Sequence, residues 1–206
     1  SLVFAEHEGS FLVGAAAALK CGCDKIGFIG GQEIDLIKKF EAGYTAGAKY
    51  INPDITVEVK YLGPAGDNSA WGNVAGAKEI AAGWYADGVE VIYTAAGGSG
   101  AGTIEAAIEA GKWAIGVDSD QWATSGDAAA QAVILTSMLK RVDVAVFETF
   151  KAVAEGDTEG GIKVFDLSVD GVGYATSGDY LTEFIDQLEE IKAMIIAGDI
   201  TVPTAP

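Results

Sequence analysis

Between residues 24 and 121 the apolar positions switch back and forth between a strand period and a helix period. Four strand-like segments stand out: Ile26–Ile29, Ile55–Leu62, Val89–Ala95 and Trp113–Val117. In the second, Ile55, Val57, Val59 and Tyr61 alternate with polar neighbours, the period of a strand with one buried face. Helical stripes lie between them. Ile37, Phe40, Tyr44 and Ala48 form one, Val74, Ala77, Ala81 and Trp84 a second, and Ile104, Ala107 and Ile108 a third that Gly111 should stop. This βαβαβαβ series predicts an α/β fold with a doubly wound parallel sheet and right-handed crossovers. Ligands of such sheets bind outside the carboxyl ends of the strands. Each predicted strand runs there into unusual residues: Gly30-Gly31, Gly63-Pro64, Ala96-Gly97-Gly98-Ser99-Gly100 and Asp118-Ser119-Asp120.

The flanks are patterned differently. Leu2–Glu6 reads as a short strand and Phe11–Lys20 as an Ala-rich helix. Ala132–Thr136 is a further strand candidate, followed by a helix over Met138–Ala154 with Leu139, Val142, Val146, Phe150 and Val153 inward and Glu155-Gly156-Asp157 closing it. Ile162–Val169 and Val172–Ala175 flank Asp170-Gly171, a hairpin signal. A last helix is expected over Leu181–Ala197, and the Pro-containing tail after it cannot be helical.

Charge narrows the functional classes. The 206 residues carry 30 acidic and 13 basic side chains, a formal charge of -17. No basic patch is at hand to neutralise phosphates, which argues against nucleic acid as a partner. No apolar run approaches the roughly 18 residues of a membrane span. The opening Ser1-Leu2-Val3-Phe4-Ala5-Glu6 lacks the basic region and cleavage site of a secretory signal. Cys21 and Cys23, one residue apart, fit neither a redox Cys-x-x-Cys pair nor a zinc site, and read as two small buried thiols. The single histidine, His7, has no second histidine with which to share a metal and reads as an ordinary polar residue. No cofactor is expected.

The candidate chemistry sits at the strand ends. Gly97-Gly98-Ser99-Gly100-Ala101-Gly102 would let a backbone approach a ligand, but its spacing is neither G-x-G-x-x-G nor a P-loop, and a plain tight turn is the alternative. Asp118 and Asp120 could ligate a hard cation, accept hydrogen bonds from vicinal hydroxyls, or cap a helix. Trp71 could stack on a planar ring or roof the next helix. Lys140, beside Arg141 at the start of a predicted helix, is oddly placed for a cation and would suit a ligand or a carboxylate.

Several of these segments together resemble one family. Phe4-Ala5-Glu6-His7-Glu8-Gly9-Ser10-Phe11-Leu12-Val13-Gly14 is similar to its "egsFLaG" segment and Lys25-Ile26-Gly27-Phe28-Ile29-Gly30-Gly31 to its central strand. Ala95-Ala96-Gly97-Gly98-Ser99-Gly100, Ala114-Ile115-Gly116-Val117-Asp118-Ser119-Asp120-Gln121 and Thr136-Ser137-Met138-Leu139-Lys140-Arg141-Val142-Asp143 resemble three later motifs, in order. The family is the basic membrane protein group of ABC-transporter substrate-binding lipoproteins, which includes purine nucleoside receptors. The resemblance implies a type I periplasmic-binding-protein fold with two α/β lobes and a solute, nucleoside-like, held between them and delivered to an ABC permease. It implies that Asp118 and Lys140 hold ribose hydroxyls, that Trp71 stacks on the base, and that Gly97, Gly98, Ser99 and Asp120 line the same cleft. It implies no enzyme activity and an extracytoplasmic location.

The family's N-terminal part has no counterpart here: the lipoprotein signal, the acylated Cys that would anchor the protein to a membrane, the first strands of one lobe, and an aromatic-bearing segment. Gly66–Asn73 replaces a shorter loop. The resemblance therefore implies one complete lobe and part of the other: residues 1–23 as a remnant of the N-terminal lobe, 24–121 as the C-terminal lobe, 122–159 returning to the first, and 160–206 completing the second. The incomplete lobe would expose the apolar face Leu139/Val142/Val146/Phe150, to be covered by a missing segment or a partner chain. Readings from other classes are a ligand-sensing receptor, an extracellular assembly subunit, a binder of another hydroxylated solute, and a metal-dependent enzyme built on Asp118 and Asp120.

Overall fold

The computed structural model describes residues 1–156 and 160–206. Eight strands and eight helices follow one another among the described residues: β1 (Leu2–Phe4), α1 (Glu6–Cys21), β2 (Lys25–Glu33), α2 (Asp35–Ile51), β3 (Thr56–Pro64), α3 (Val74–Ala86), β4 (Val91–Ala95), α4 (Gly100–Ala110), β5 (Trp113–Asp118), α5 (Gln121–Ser125), α6 (Ala128–Gln131), β6 (Ile134–Lys140), α7 (Val142–Ala154), β7 (Lys163–Phe165), β8 (Val172–Tyr174) and α8 (Ile185–Ala197). Six strands form one sheet in the order β3-β2-β4-β5-β6-β8, parallel except for β8. The predicted central series is present, and Gly111 ends α4 in a left-handed conformation. β1 and β7 pair in parallel as a separate two-stranded sheet.

The core lies on both faces of the large sheet. Phe28, Tyr44 and Tyr93 meet as an aromatic cluster, with ring centroids of Tyr44 and Tyr93 5.3 Å apart. Helix α1 packs on α2 with backbones almost in contact. A Cβ added at Gly47 would lie 1.9 Å from the Phe11 carbonyl oxygen, one at Gly43 2.0 Å from that of His7, and one at Gly14 2.1 Å from that of Tyr44. Only glycine permits this approach. It draws the whole of α1 into the main core, where Phe11, Leu12 and Val13 are buried.

Several expectations need correcting. The strand starting at Leu2 ends at Phe4, and Glu6 opens α1. Residues 138–140 belong to β6, not to a helix, because β6 is hydrogen-bonded on both sides and its burial from Ile134 to Met138 leaves no period to read. Lys140 therefore ends a strand, and α7 begins at Val142. The apolar face of α7 points outward: Val142, Val146, Phe147, Phe150 and Val153 are all exposed, Phe150 at 72%. Asp170-Gly171 makes no hairpin. Asp166 caps a short 3-10 turn over Leu167–Val169 that buries Leu167 and passes the chain from β7 in one sheet to β8 in the other. Cys21 and Cys23 are joined as a disulfide at the end of α1, half-buried. Helix α1 and strand β6 share one core with the large sheet, and Phe4 of β1, Ala145 of α7 and Phe165 of β7 pack into that same core. Of the predicted closing turn, Asp157 lies outside the described residues.

Three passages link the two sheets, and α1's first turn sits among them. Ala5 N–H donates to the Phe165 carbonyl, Leu167 N–H donates to Glu8 Oε2 at 3.0 Å, and Arg141 N–H donates to the Gly171 carbonyl.

Gly47→Ala should cost about 3 kcal/mol in chemical denaturation, because α1 and α2 must separate. Gly83→Ala, on the open face of α3 with no atom within 4 Å, should instead stabilise by roughly 0.5–1 kcal/mol. Equal effects at the two sites would contradict the packing described.

Candidate functional site

Because β3, β2, β4, β5 and β6 are parallel and adjacent, their carboxyl ends form one row. The strand order reverses between β2 and β4, which opens a crevice at their tips. The row presents, in order, the loop after β3 bearing Trp71, Gly31 on β2, Gly97 and Gly98 after β4, Asp118 at the end of β5 and Lys140 at the end of β6.

Trp71 closes a 3-10 turn over Asn68–Trp71 and is half-buried. Its ring lies across Gly31 so closely that a Cβ there would be 2.2 Å from a ring atom. Two buried side chains fix this loop. Gln32 donates to Asn68 Oδ1 at 3.0 Å and accepts from Gly66 N–H at 2.8 Å. Ser99, fully buried, donates its hydroxyl to the Ala70 carbonyl at 2.8 Å. Ser99 is thus a fastener between the β4 turn and the Trp71 loop, while Gly97 and Gly98 are exposed beside it.

Asp118 adopts φ +67°, a left-handed conformation that an Asp tolerates at some cost. It pairs in register with Leu139, so Asp118 and Lys140 stand on adjacent strand tips. They border an open cleft of about 490 Å³ together with Asp120, Arg141 and Asp143. Although Asp118 has an open side, neighbouring protein raises its carboxyl pKa by desolvation; Lys140 opposes the shift and the charge of Glu6 adds to it. Asp120 is engaged elsewhere: one oxygen caps α5 by accepting from Ala123 N–H at 3.1 Å, and the other accepts the Ser177 hydroxyl. No group of three or more His, Cys, Asp or Glu residues disposed for a metal occurs among the described residues.

Two functional candidates were invisible as such in the sequence. Glu6, only 2% exposed, pairs with Lys140 at 3.1 Å and Lys39 at 3.8 Å. In the sequence Glu6 is only the last residue of a short strand candidate, and only the fold reveals its burial at the start of α1. Gln32 carried no signal beyond being a polar residue at a strand end. His7 lies beside this cluster. Burial, then the charge of Lys39, lower its pKa, with Glu6 acting in the opposite sense.

Residues 1–205 match the family model for PnrA-like ABC transporter substrate-binding proteins. The chain belongs to this family. Similar proteins include the CD4+ T-cell-stimulating antigen of Listeria monocytogenes, 38% identical over all of the chain and 60% of the relative, and the ABC transporter nucleoside-binding protein BmpA of Lactococcus lactis, 37% identical over 99% of the chain and 60% of the relative. A solved ABC-transporter solute-binding protein from Aeropyrum pernix superposes with a TM-score of 0.75 at 26% identity, over 99% of this chain and 66% of that one. The chain thus spans 60% of the length of these curated relatives. The family is one of solute-binding proteins, and the fold is of the type I periplasmic kind. No helix of the described residues is long and apolar enough to cross a membrane.

The lone histidine makes one electrostatic expectation clean. Its folded pKa lies below 6.5, so its contribution to stability is whole above about pH 6.5 and is lost as pH falls through the lowered folded value. An NMR titration of the His7 ring should give a midpoint below 6.5, and His7→Gln should make the loss of stability between pH 7 and 5 shallower. A midpoint at or above 6.5 would contradict the burial described.

Proposed function

We propose that this chain forms most of the solute site of an extracytoplasmic ABC-transporter binding protein, that the solute is a nucleoside, purine favoured, and that it is handed to a membrane permease. The observation that carries this reading is the row of strand tips. An acceptor, Asp118, and a donor, Lys140, stand on adjacent strands, as a pair of vicinal hydroxyls requires. Gly31 and the ring above it lie two strand spacings from Asp118, about 10 Å, the scale of a sugar joined to a planar base. The Lactococcus relative's name points the same way.

In isothermal titration, adenosine, guanosine or inosine should bind, and Asp118→Ala should weaken binding by about 10–100-fold, the value of hydrogen bonds to a charged group. Binding of a sugar or another solute in place of all three nucleosides would overturn the solute assignment. Unchanged affinity in Asp118→Ala would overturn the site.

The same reading includes a cover. The relatives extend well beyond the matched region. We infer that an α/β segment equivalent to that extension, carrying the family's lipid anchor, adds parallel strands beside β1–β7 and packs on α7. Parallel sheets are ordinarily buried on both faces, whereas Leu2, Val3, Val164, Phe147 and Phe150 are exposed. In this chain Phe150→Ser should change stability by less than about 0.5 kcal/mol. In a chain of the relatives' full length it should cost roughly 3 kcal/mol. A negligible cost in both lengths would rule the cover out.

A further inference from the structure

Glu6 is the one charged residue in the buried set among the described residues, and no part of the helix-capping scheme explains it. Ala5 occupies the N-cap of α1 and no side chain caps that end. One carboxylate oxygen, Oε1, lies 3.1 Å from Lys140 Nζ at the tip of β6. The other, Oε2, lies 3.8 Å from Lys39 Nζ on α2 and has no hydrogen-bond partner among the described residues. The ammonium of Lys140 also sits 5.1 Å from the Phe4 ring centroid. A lysine on a four-carbon stem is otherwise free to swing, and Asp118, on the neighbouring strand tip, already feels its charge. Yet among the described residues Asp118 makes no ion pair, while Lys140 pairs with Glu6.

Resting on the nucleoside reading above, we propose that Glu6 is a positioning residue of the solute site. It holds the Lys140 ammonium back from Asp118, so that the carboxylate of Asp118 remains an open acceptor and two N–H groups of Lys140 remain open donors. Without it, Lys140 collapses onto Asp118, and the site neutralises itself before a diol can enter. The buried charge is the cost of keeping a carboxylate and an ammonium side by side but unpaired.

The first test needs no solute. The Asp118 carboxyl is titrated by carbon NMR in wild type, Glu6→Gln, Lys140→Met and the double variant, with the neighbouring titratable groups Lys39, His7 and Tyr93 present in all four. Direct loss of the Glu6 charge lowers the Asp118 pKa in either background. Collapse of Lys140 lowers it further, only where Lys140 is present. The expected result is a clearly larger shift from Glu6→Gln in the wild-type background than in Lys140→Met. The second test compares adenosine with 2′,3′-dideoxyadenosine: Glu6→Gln should weaken the first by about tenfold and the second by less than about twofold. Equal Asp118 shifts in both backgrounds, or equal weakening of both solutes, overturns the proposal. If Glu6→Gln does not fold, Glu6→Asp replaces it, with the same pattern expected at smaller size. A wild type that binds neither solute overturns the nucleoside reading alone, and the NMR comparison then decides the positioning role.

Discussion

The near-contact of the α1 and α2 backbones is the constraint on which the rest of the site depends. Gly14, Gly43 and Gly47 remove the side chains at the points of closest approach, so α1 sinks into the core of the large sheet instead of lying over it. Its first turn is carried to the junction where the chain passes between sheets. Glu6 is buried as a consequence and meets Lys140, and Glu8 reaches the Leu167 N–H. Both carboxylates are favoured at a helix start by the dipole, and neither would arrive there if α1 stood a side-chain radius farther out. Helix packing, charge placement and site geometry are in this sense one arrangement.

The strand-tip row shows where stability has been given up. Asp118 sits in a left-handed conformation, its carboxyl partly desolvated and its pKa raised. Glycine would suit that backbone better. Such outliers persist where surrounding structure determines them, here the register of β5 between β4 and β6. At the other end of the row the opposite holds. Trp71 is fixed by Gln32 and Ser99 through hydrogen bonds buried under the loop, so its ring is held before any solute arrives and little ordering entropy remains to be lost.

What the sequence disclosed followed from local period and from special residues at strand ends. The four central strands, their helices and the row of tips were legible because each element buries one face. The second half of β6 was not, because a strand flanked on both sides and buried on both faces has no period, and Leu139 happened to fall on a helical stripe with Val142 and Val146. The outward face of α7 read as inward for the same reason: apolar spacing tells which residues share a face, not what that face meets. Asp170-Gly171 carried a true turn signal, but pairing is decided by distant strands, and β7 and β8 went to different sheets. Asp118 and Asp120 looked equivalent two residues apart. Only the structure separates them, one open at a strand tip and the other spent on Ala123 and Ser177. Glu6 was unreadable because burial of a charge is a property of the fold.

Electrostatics bears on the kind of solute that the proposed site suits. Glu6 and Asp118 face Lys39 and Lys140, two negative and two positive groups, in a chain of net charge -17. No surplus of positive charge is available to an anion. Within the glycine turn, the N–H of Ser99 donates to the Ala96 carbonyl and that of Gly100 to the carbonyls of Gly97 and Gly98, so these two amides are already engaged. A phosphate would meet a balanced cluster inside an acidic field. A sugar diol would meet an acceptor and a donor side by side. On these grounds the proposed site suits a neutral diol better than a phosphate.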